Sequence, residues 1–450
     1  MRVAAVMTEN VDSEPSRLQR HRLLRGLGLR RGASHISRPV LPPASAPPSA
    51  DGALPGSEVG TPYGGAWVRE CAYALESHPE LARPLGVEPE AWAALGRDDE
   101  LLRLDPRRAA FIDTETTGLS IGAGTYTFMI GIGTYEGDDG AEVSEQFTRF
   151  VVRQYFMRNP AEERAQLHLV EEALSRCSGI VSFNGVGFDM PLIESRLVLA
   201  RIPHPLPGAP HLDLLPPARR LWSARLPSCR LGSLEQEILC LHRSEEDVPG
   251  WLIPTIYREY YQTGVVSDLL TRVFYHNLLD ITSMPALAGI MAARYQLGSE
   301  PSWGALHPTD CASLARSYEH LGWIEASEQA YRKALGGPLD DAQRARVYQS
   351  LASLLKRQRR NDEAAAVYEE WITTSAGDEL APYIELAKYY EWHRRDLAIA
   401  RGWAAWALDL VNHRPAGIAS EDLRQELERR VARLERKLAV MTPTAPDRPS

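Results

Sequence analysis

Apolar, β-branched and aromatic residues gather into three strand-length runs between about residues 107 and 152: "RRAAFID", "TYTFMIGIGTYEG" and "SEQFTRFVV". Glycine-rich or acidic turns separate them, so the pattern predicts three successive strands in an antiparallel meander. From Pro160 to Cys177 the spacing becomes helical, with Leu167, Val170 and Leu174 recurring along one side. A short strand at 179–183, helical text at "PLIESRLVLARI" and another strand at 211–215 follow. Antiparallel strands followed by β-α-β units predict a mixed α/β sheet, with room for ligands at the carboxyl ends of its strands.

From residue 308 to about 410 the text becomes helical and self-similar. Aligning Ala315, Ala352 and Ala387 gives offsets of 37 and 35 residues, and Tyr318, Leu355 and Tyr390 then fall three residues after each. Gly322, Ala334 and Ala364 add small residues where paired helices need close approach. The pattern resembles tetratricopeptide repeats, with one extra residue expected in the third copy before Ala404.

A chain of 450 residues has room for two or three domains. Its net charge of −9 argues against a surface that binds nucleic acid everywhere, while leaving room for a local basic groove. Cys71, Cys177, Cys229, Cys240 and Cys311 are scattered without a C-x-x-C pair, which suits free thiols in a reducing compartment. No apolar run approaches the roughly 20 residues of a membrane span, and the N-terminus lacks an apolar signal core, so a cytoplasmic location without membrane contact is expected. Residues 1–62 read as a disordered tail, basic from Arg17 to Arg31 and then rich in Pro, Ala and Ser. The basic part could touch phosphates or simply be solvated.

Three acidic motifs carry the candidate chemistry. "FIDTETTGLS" puts Asp113 and Glu115 two residues apart at a strand end, where both side chains share a face and repel. Solvent, a shared proton or a bound Mg²⁺ or Mn²⁺ could offset that repulsion. "VSFNGVGFDMPLIESR" puts Asp189 at a strand-to-helix junction, two residues before Pro191. "FYHNLLDITS" puts His276 four residues before Asp280, which stacks the two on one helical face.

In this order the motifs resemble the DEDD exonucleases of the ribonuclease H-like superfamily. The resemblance is closer to the YprB-type proteins, which join such a domain to tetratricopeptide repeats, and "HLDLLPPARRLW", "CRLGSLEQEIL" and "VPGWLIPTIYREYYQTG" support it. It implies a ribonuclease H-like mixed sheet, meander plus parallel strands with helices on both faces, followed by an all-α repeat domain. The expected boundaries are a lead-in at 63–106, the nuclease domain at 107–298, repeats at 305–438 and a disordered tail at 439–450. Asp113, Glu115, Asp189 and Asp280 match the four metal-binding acids, so two divalent ions, Mg²⁺ or Mn²⁺, about 4 Å apart are implied. The implied activity is 3′-to-5′ hydrolysis of single-stranded DNA or RNA ends, with the repeats recruiting a protein partner. The alternatives are structure-specific endonuclease action and an idle nuclease fold that works as a scaffold.

Exonucleases of the DEDD class carry either a His five residues before the last Asp or a Tyr four before it, whereas this chain has Tyr275 and His276 at those positions with the types exchanged, and its H-N-x-x-D pattern instead resembles the YprB-like group. His276 is the expected general base, because a neutral imidazole takes a proton near pH 7 and a tyrosine, with pKa about 10, mostly does not. Thr117, Gly118, Asn184 and Tyr275 are candidate substrate contacts. Arg219 and Arg220, with Arg225, Arg230 and Trp222 nearby, could hold phosphates and stack a base, a solvated helix face being the alternative. Asp213 is expected to cap the following helix.

Overall fold

The computed structural model describes residues 52–118, 124–137, 147–243, 247–296, 306–375, 379–413 and 418–441. The basic stretch from Arg17 to Arg31 and the last nine residues lie outside them. Among the described residues seven strands form one sheet: β1 (Ser57–Thr61), β2 (Gly64–Ala74), β3 (Ala109–Thr116), β4 (Thr127–Glu136), β5 (Arg149–Phe156), β6 (Gly179–Ser182) and β7 (His211–Asp213). Their order is β1-β2-β5-β4-β3-β6-β7. The expected meander is β3-β4-β5, antiparallel throughout, and β6 and β7 extend it in parallel beyond β3.

The expected N-terminal boundary moves. Residues 57–61 pair with β2, and β2 pairs along its length with β5, so both belong to the same sheet as the meander rather than to a tail and a lead-in. The cause is tertiary: β2 covers the β5 edge of the meander, which would otherwise leave a row of unpaired backbone groups.

Helices cover both faces. On one, α1 (Pro89–Gly96) joins the core made by Phe111, Val152 and Val181, while α2 (Glu163–Ser175) and α3 (Asp189–Ala200) cover Ala110, Ile112 and Ile130 on the other. Then come α4 (Leu215–Trp222), α5 (Leu231–Glu237), α6 (Ile253–Thr263) and α7 (Asp268–Ala292), the last starting at Ser267, whose side chain accepts from the Leu270 N–H. The face with Phe111 is the one α7 crosses, through Leu278 and Ile281.

Two glycines set how closely α7 lies on the sheet. Gly131 of β4 sits opposite Asp113 on one side and Gln154 on the other. A Cβ there would stand 2.1 Å from Ile281 Cδ1 and 2.3 Å from Asn277 Oδ1. At Gly133 a Cβ would stand 2.8 Å from Ile281 Cγ2. The sequence "GIG" is therefore a slot for α7.

The repeats run α8 (Pro308–His320), α9 (Ile324–Leu335), α10 (Asp341–Arg357), α11 (Asn361–Thr374), α12 (Leu380–Tyr389), α13 (Leu397–Asn412) and α14 (Ile418–Met441). Ala315, Ala352 and Ala387 are fully buried, as close helix packing requires. A left-handed residue ends the first helix of each copy: Gly322, Arg359 and Arg395, at φ 76°, 59° and 56°. These fall seven residues after Ala315 and Ala352 but eight after Ala387. The extra residue of the third copy is taken up by a π-helical turn at Tyr390–Arg394, the form a one-residue insertion takes inside a helix.

Candidate active site

The four acids stand on three elements at the carboxyl end of β3. Asp113 and Glu115 project on the side that α7 crosses, Asp189 opens α3, and Asp280 lies on α7. Thr114, between the first two, points to the opposite face and its hydroxyl donates to Asp189 Oδ1. The alternation of a strand thus lets "DTE" reach acids on both sides. A Cβ at Gly185 would come 2.4 Å from Ser182 Oγ and 3.4 Å from Asp189 Oδ2, so glycine leaves the room in which Asp189 sits.

A buried relay orients Asp113. Gln154 of β5 donates through Nε2 to the Phe274 carbonyl (2.8 Å) and to Asn277 Oδ1 (2.9 Å). Because Asn277 Oδ1 accepts, its amide nitrogen must face the other way, and it donates to Asp113 Oδ2 at 2.8 Å. The Gly131 slot admits this amide. Neither Gln154 nor a role for Asn277 was legible in the sequence, since a buried glutamine on a strand carries no periodic signal.

A second group missed by sequence reasoning closes the far side. Arg243 forks onto Glu235, Nε to Oε2 at 2.5 Å and Nη2 to Oε1 at 2.8 Å, reaches Asp247 Oδ2 at 3.2 Å and also donates to Asp280 Oδ1. His276 Nδ1 lies 2.7 Å from Asp247 Oδ1 and 3.1 Å from Arg243 Nη1. One ring nitrogen cannot serve both, and the shorter contact to a carboxylate gives Nδ1 the proton. Nε2 then faces Asp280 Oδ2 at 3.5 Å.

The charges crowd one another. Burial, then Asp280 and Asp189, push the Asp113 carboxyl well above the carboxylate range, and burial, then Asp113, Asp280 and Asp189, do the same to Glu115. Asp189 rises to about 6 through burial, partly opposed by the Thr114 hydrogen bond. Burial also presses the His276 pKa down, but Asp280 and Asp247 outweigh it and the net shift is upward. Asp247 is lowered because His276 and Arg243 outweigh its own burial.

The remaining candidates fall in different places. Thr117 uses its hydroxyl to accept from the Tyr126 N–H (3.0 Å), and the Gly118 carbonyl accepts from Thr116 Oγ1 (2.6 Å), so both shape the turn after β3. Asn184 adopts φ 70° and donates its N–H to Asp213 Oδ1 at 2.8 Å. Asp213 also accepts from Val186 N and from Leu215 N, but the N-cap of α4 is Leu214 without a side-chain cap bond, so Asp213 binds the turn before the helix rather than capping it. Tyr275 lies on the same helix, while His276 is the residue that reaches Asp280. The basic cluster does not assemble. Arg220 turns inward to the Leu95 carbonyl, Arg225 pairs with Asp310 at 2.8 Å, Trp222 is buried, and of the two arginines singled out Arg219 alone is exposed. The reason is packing: α4 lies against α1 and α8, where Arg220 meets the Leu95 carbonyl of α1 and Arg225, just past the end of α4, meets Asp310 of α8.

Comparison with known proteins agrees with this architecture. Residues 110–292 match the RNase_H superfamily model, and residues 311–336 match a tetratricopeptide repeat. A Bacillus subtilis (strain 168) protein named "Uncharacterized protein YprB" is 33% identical over 333 residues, covering 73% of this chain and 74% of the relative. The chain belongs to the YprB family. Its sheet and repeats are therefore a ribonuclease H-like domain followed by tetratricopeptide repeats, and among the described residues no helix is long and apolar enough to cross a membrane.

Among the described residues no three His, Cys, Asp or Glu side chains are already set around one point as ligands. The donor set nonetheless fits a hard divalent cation: four carboxyl groups, Glu115 and Asp189 buried and Asp113 and Asp280 half-buried, with Asp113 and Glu115 each held above the carboxylate range by burial and by the neighbouring acids. The partial exception is Asp280, one oxygen of which is already bonded to Arg243.

Proposed function

We propose that this YprB-family protein is a metal-dependent nuclease, a 3′-to-5′ exonuclease on single-stranded DNA or RNA ends, whose repeats bind a protein partner. The observation that carries the reading is the mutual crowding of Asp113, Glu115 and Asp189 at one strand end, oriented by Asn277 and Thr114. Asp113, Glu115, Asp189 and, on release from Arg243, Asp280 would hold two Mg²⁺ or Mn²⁺ ions. When bound, such ions activate water and stabilise charge on a phosphodiester undergoing displacement.

The chain's own groups then have defined tasks. Asn277 holds Asp113 in one rotamer, so the carboxylate loses little freedom on coordination. Asp247 keeps the proton on His276 Nδ1 and directs Nε2 to the cleft, where it can accept a proton from the attacking water. In the repeats, a cavity of about 140 Å³ lined by Lys356, Asn361, Tyr368, Lys388, Tyr389 and Trp392 is the candidate place for a partner side chain. The bond from Arg243 to Asp280 is the observation that favours the scaffold alternative, since a filled Asp280 could leave the centre idle.

The test is an assay with Mg²⁺ or Mn²⁺ on 5′-labelled DNA and RNA, single- and double-stranded, beside Asp113→Asn. A metal-dependent ladder shortening from the 3′ end and absent in the variant supports the proposal. Internal cuts would turn it to an endonuclease, and folded protein without cleavage would favour the scaffold.

A further inference from the structure

Arg243 is a cation fixed inside an anionic centre. Its side chain is 15% exposed, and the Glu235 carboxylate that grips it is 2% exposed. Three carboxylates share the guanidinium, yet only Asp280 belongs to the acidic motifs. Glu235 and Asp247 hold the head from behind, so its position does not depend on Asp280. An arginine in such a place is not discharged by losing a proton, because a guanidinium stays protonated throughout the pH range in which proteins are folded. Only movement of the Nη2 arm removes its charge from Asp280.

We propose that Arg243 is a resident counter-cation that competes with a divalent ion for Asp280. The centre then takes one ion readily beside Asp113, Glu115 and Asp189, and fills its Asp280 side only when the contact from Arg243 opens. The inference rests on the metal-dependent reading above. Arg243 is accordingly a positioning residue acting through Asp280, and the fork onto Glu235 keeps it close enough to return when the ion leaves.

The experiment is a calorimetric titration of the full-length, metal-free protein with Mn²⁺, without nucleic acid. Arg243→Gln alone would bury Glu235 without a partner, so Glu235→Gln/Arg243→Gln, which leaves a neutral hydrogen-bonding pair, is measured beside it, with folding checked by circular dichroism. The wild type is expected to bind one Mn²⁺ well and a second weakly. The paired variant should bind the second about 10- to 100-fold more tightly, because the cation bonded to Asp280 is gone. Adding Asp280→Asn should erase that gain. A folded paired variant whose second site is unchanged or weaker overturns the proposal and leaves Arg243 a structural clamp. Wild-type protein that binds no Mn²⁺ would instead overturn the metal-dependent reading itself.

Discussion

At the scale of single residues, the acids that make the centre useful also make the metal-free protein less stable. Asp189, with a folded-state pKa of about 6 against an ordinary 3.8, binds its proton more tightly folded than unfolded. Its contribution is therefore most favourable below pH 3.8 and is lost as pH rises through 6. In EDTA at neutral pH, Asp189→Asn should stabilise the protein by on the order of 2 kcal/mol, with a gain that vanishes towards pH 4, while nuclease activity is abolished. Thermal unfolding of both proteins from pH 4 to 7 checks the sign. A flat difference would mean that the Asp189 proton is not the cause. His276 gives the complementary pH prediction. Its pKa is raised by Asp280 and Asp247 against the pull of burial, and a base must be unprotonated, so activity should fall as pH drops through a value above 6.5. Asp247→Asn removes one of those negative charges and replaces the carboxylate acceptor at Nδ1 with a weaker amide oxygen. It should move the acid limb to lower pH while lowering the plateau by roughly 10- to 100-fold; a pH–rate profile with an unmoved limb would assign the titration to another group.

At the scale of elements, the site depends on how closely one helix lies on one strand. Gly131→Ala would drive its Cβ into Ile281 and Asn277, lifting α7 and breaking the relay from Gln154 to Asp113. A loss of about 1–3 kcal/mol in stability is expected from overpacking, with activity falling further than stability explains. Denaturant unfolding and the nuclease assay on the same preparation separate the two, and wild-type activity in that variant would show that the slot is not needed. The same elements show what the sequence revealed. Strand runs at 107–152 and the acids at 113, 115, 189 and 280 were legible because a strand, a helix start and a helix each impose a spacing on the residues that share a face. Glu235, Arg243 and Asp247 were not legible. Arg243 and Asp247 lie in a connection between helices, and they meet Asp280 and His276 only across 37 and 29 residues of chain. No local period records such an encounter. The arginines on and just after α4 misled for the opposite reason. Their clustering is real in sequence, but packing against α1 and α8 commits Arg220 and Arg225 to Leu95 and Asp310.

At the scale of the whole molecule, the nuclease fold and the repeats share a core. One hydrophobic cluster runs from Phe111 and Val181 of the sheet through Leu287 and Tyr295 to Leu314, Tyr318 and Tyr331 of the first repeat. The Tyr318 hydroxyl donates to the Arg294 carbonyl, and Arg225 pairs with Asp310 across the same contact. Interfaces of this apolar kind do not let domains move as independent bodies. The sheet and at least the first repeat should therefore unfold together in calorimetry. Leu314→Asp, which places a charge in the shared core, should lower the melting temperature of the nuclease fold as well as that of the repeats. Two separate transitions, with the variant shifting only one, would show that the repeats fold independently of the nuclease domain. A single shifted transition means that a partner bound to the repeats acts on a body continuous with the acidic centre. In that case its binding energy adds to the stability of α7, the helix that carries His276, Asn277 and Asp280.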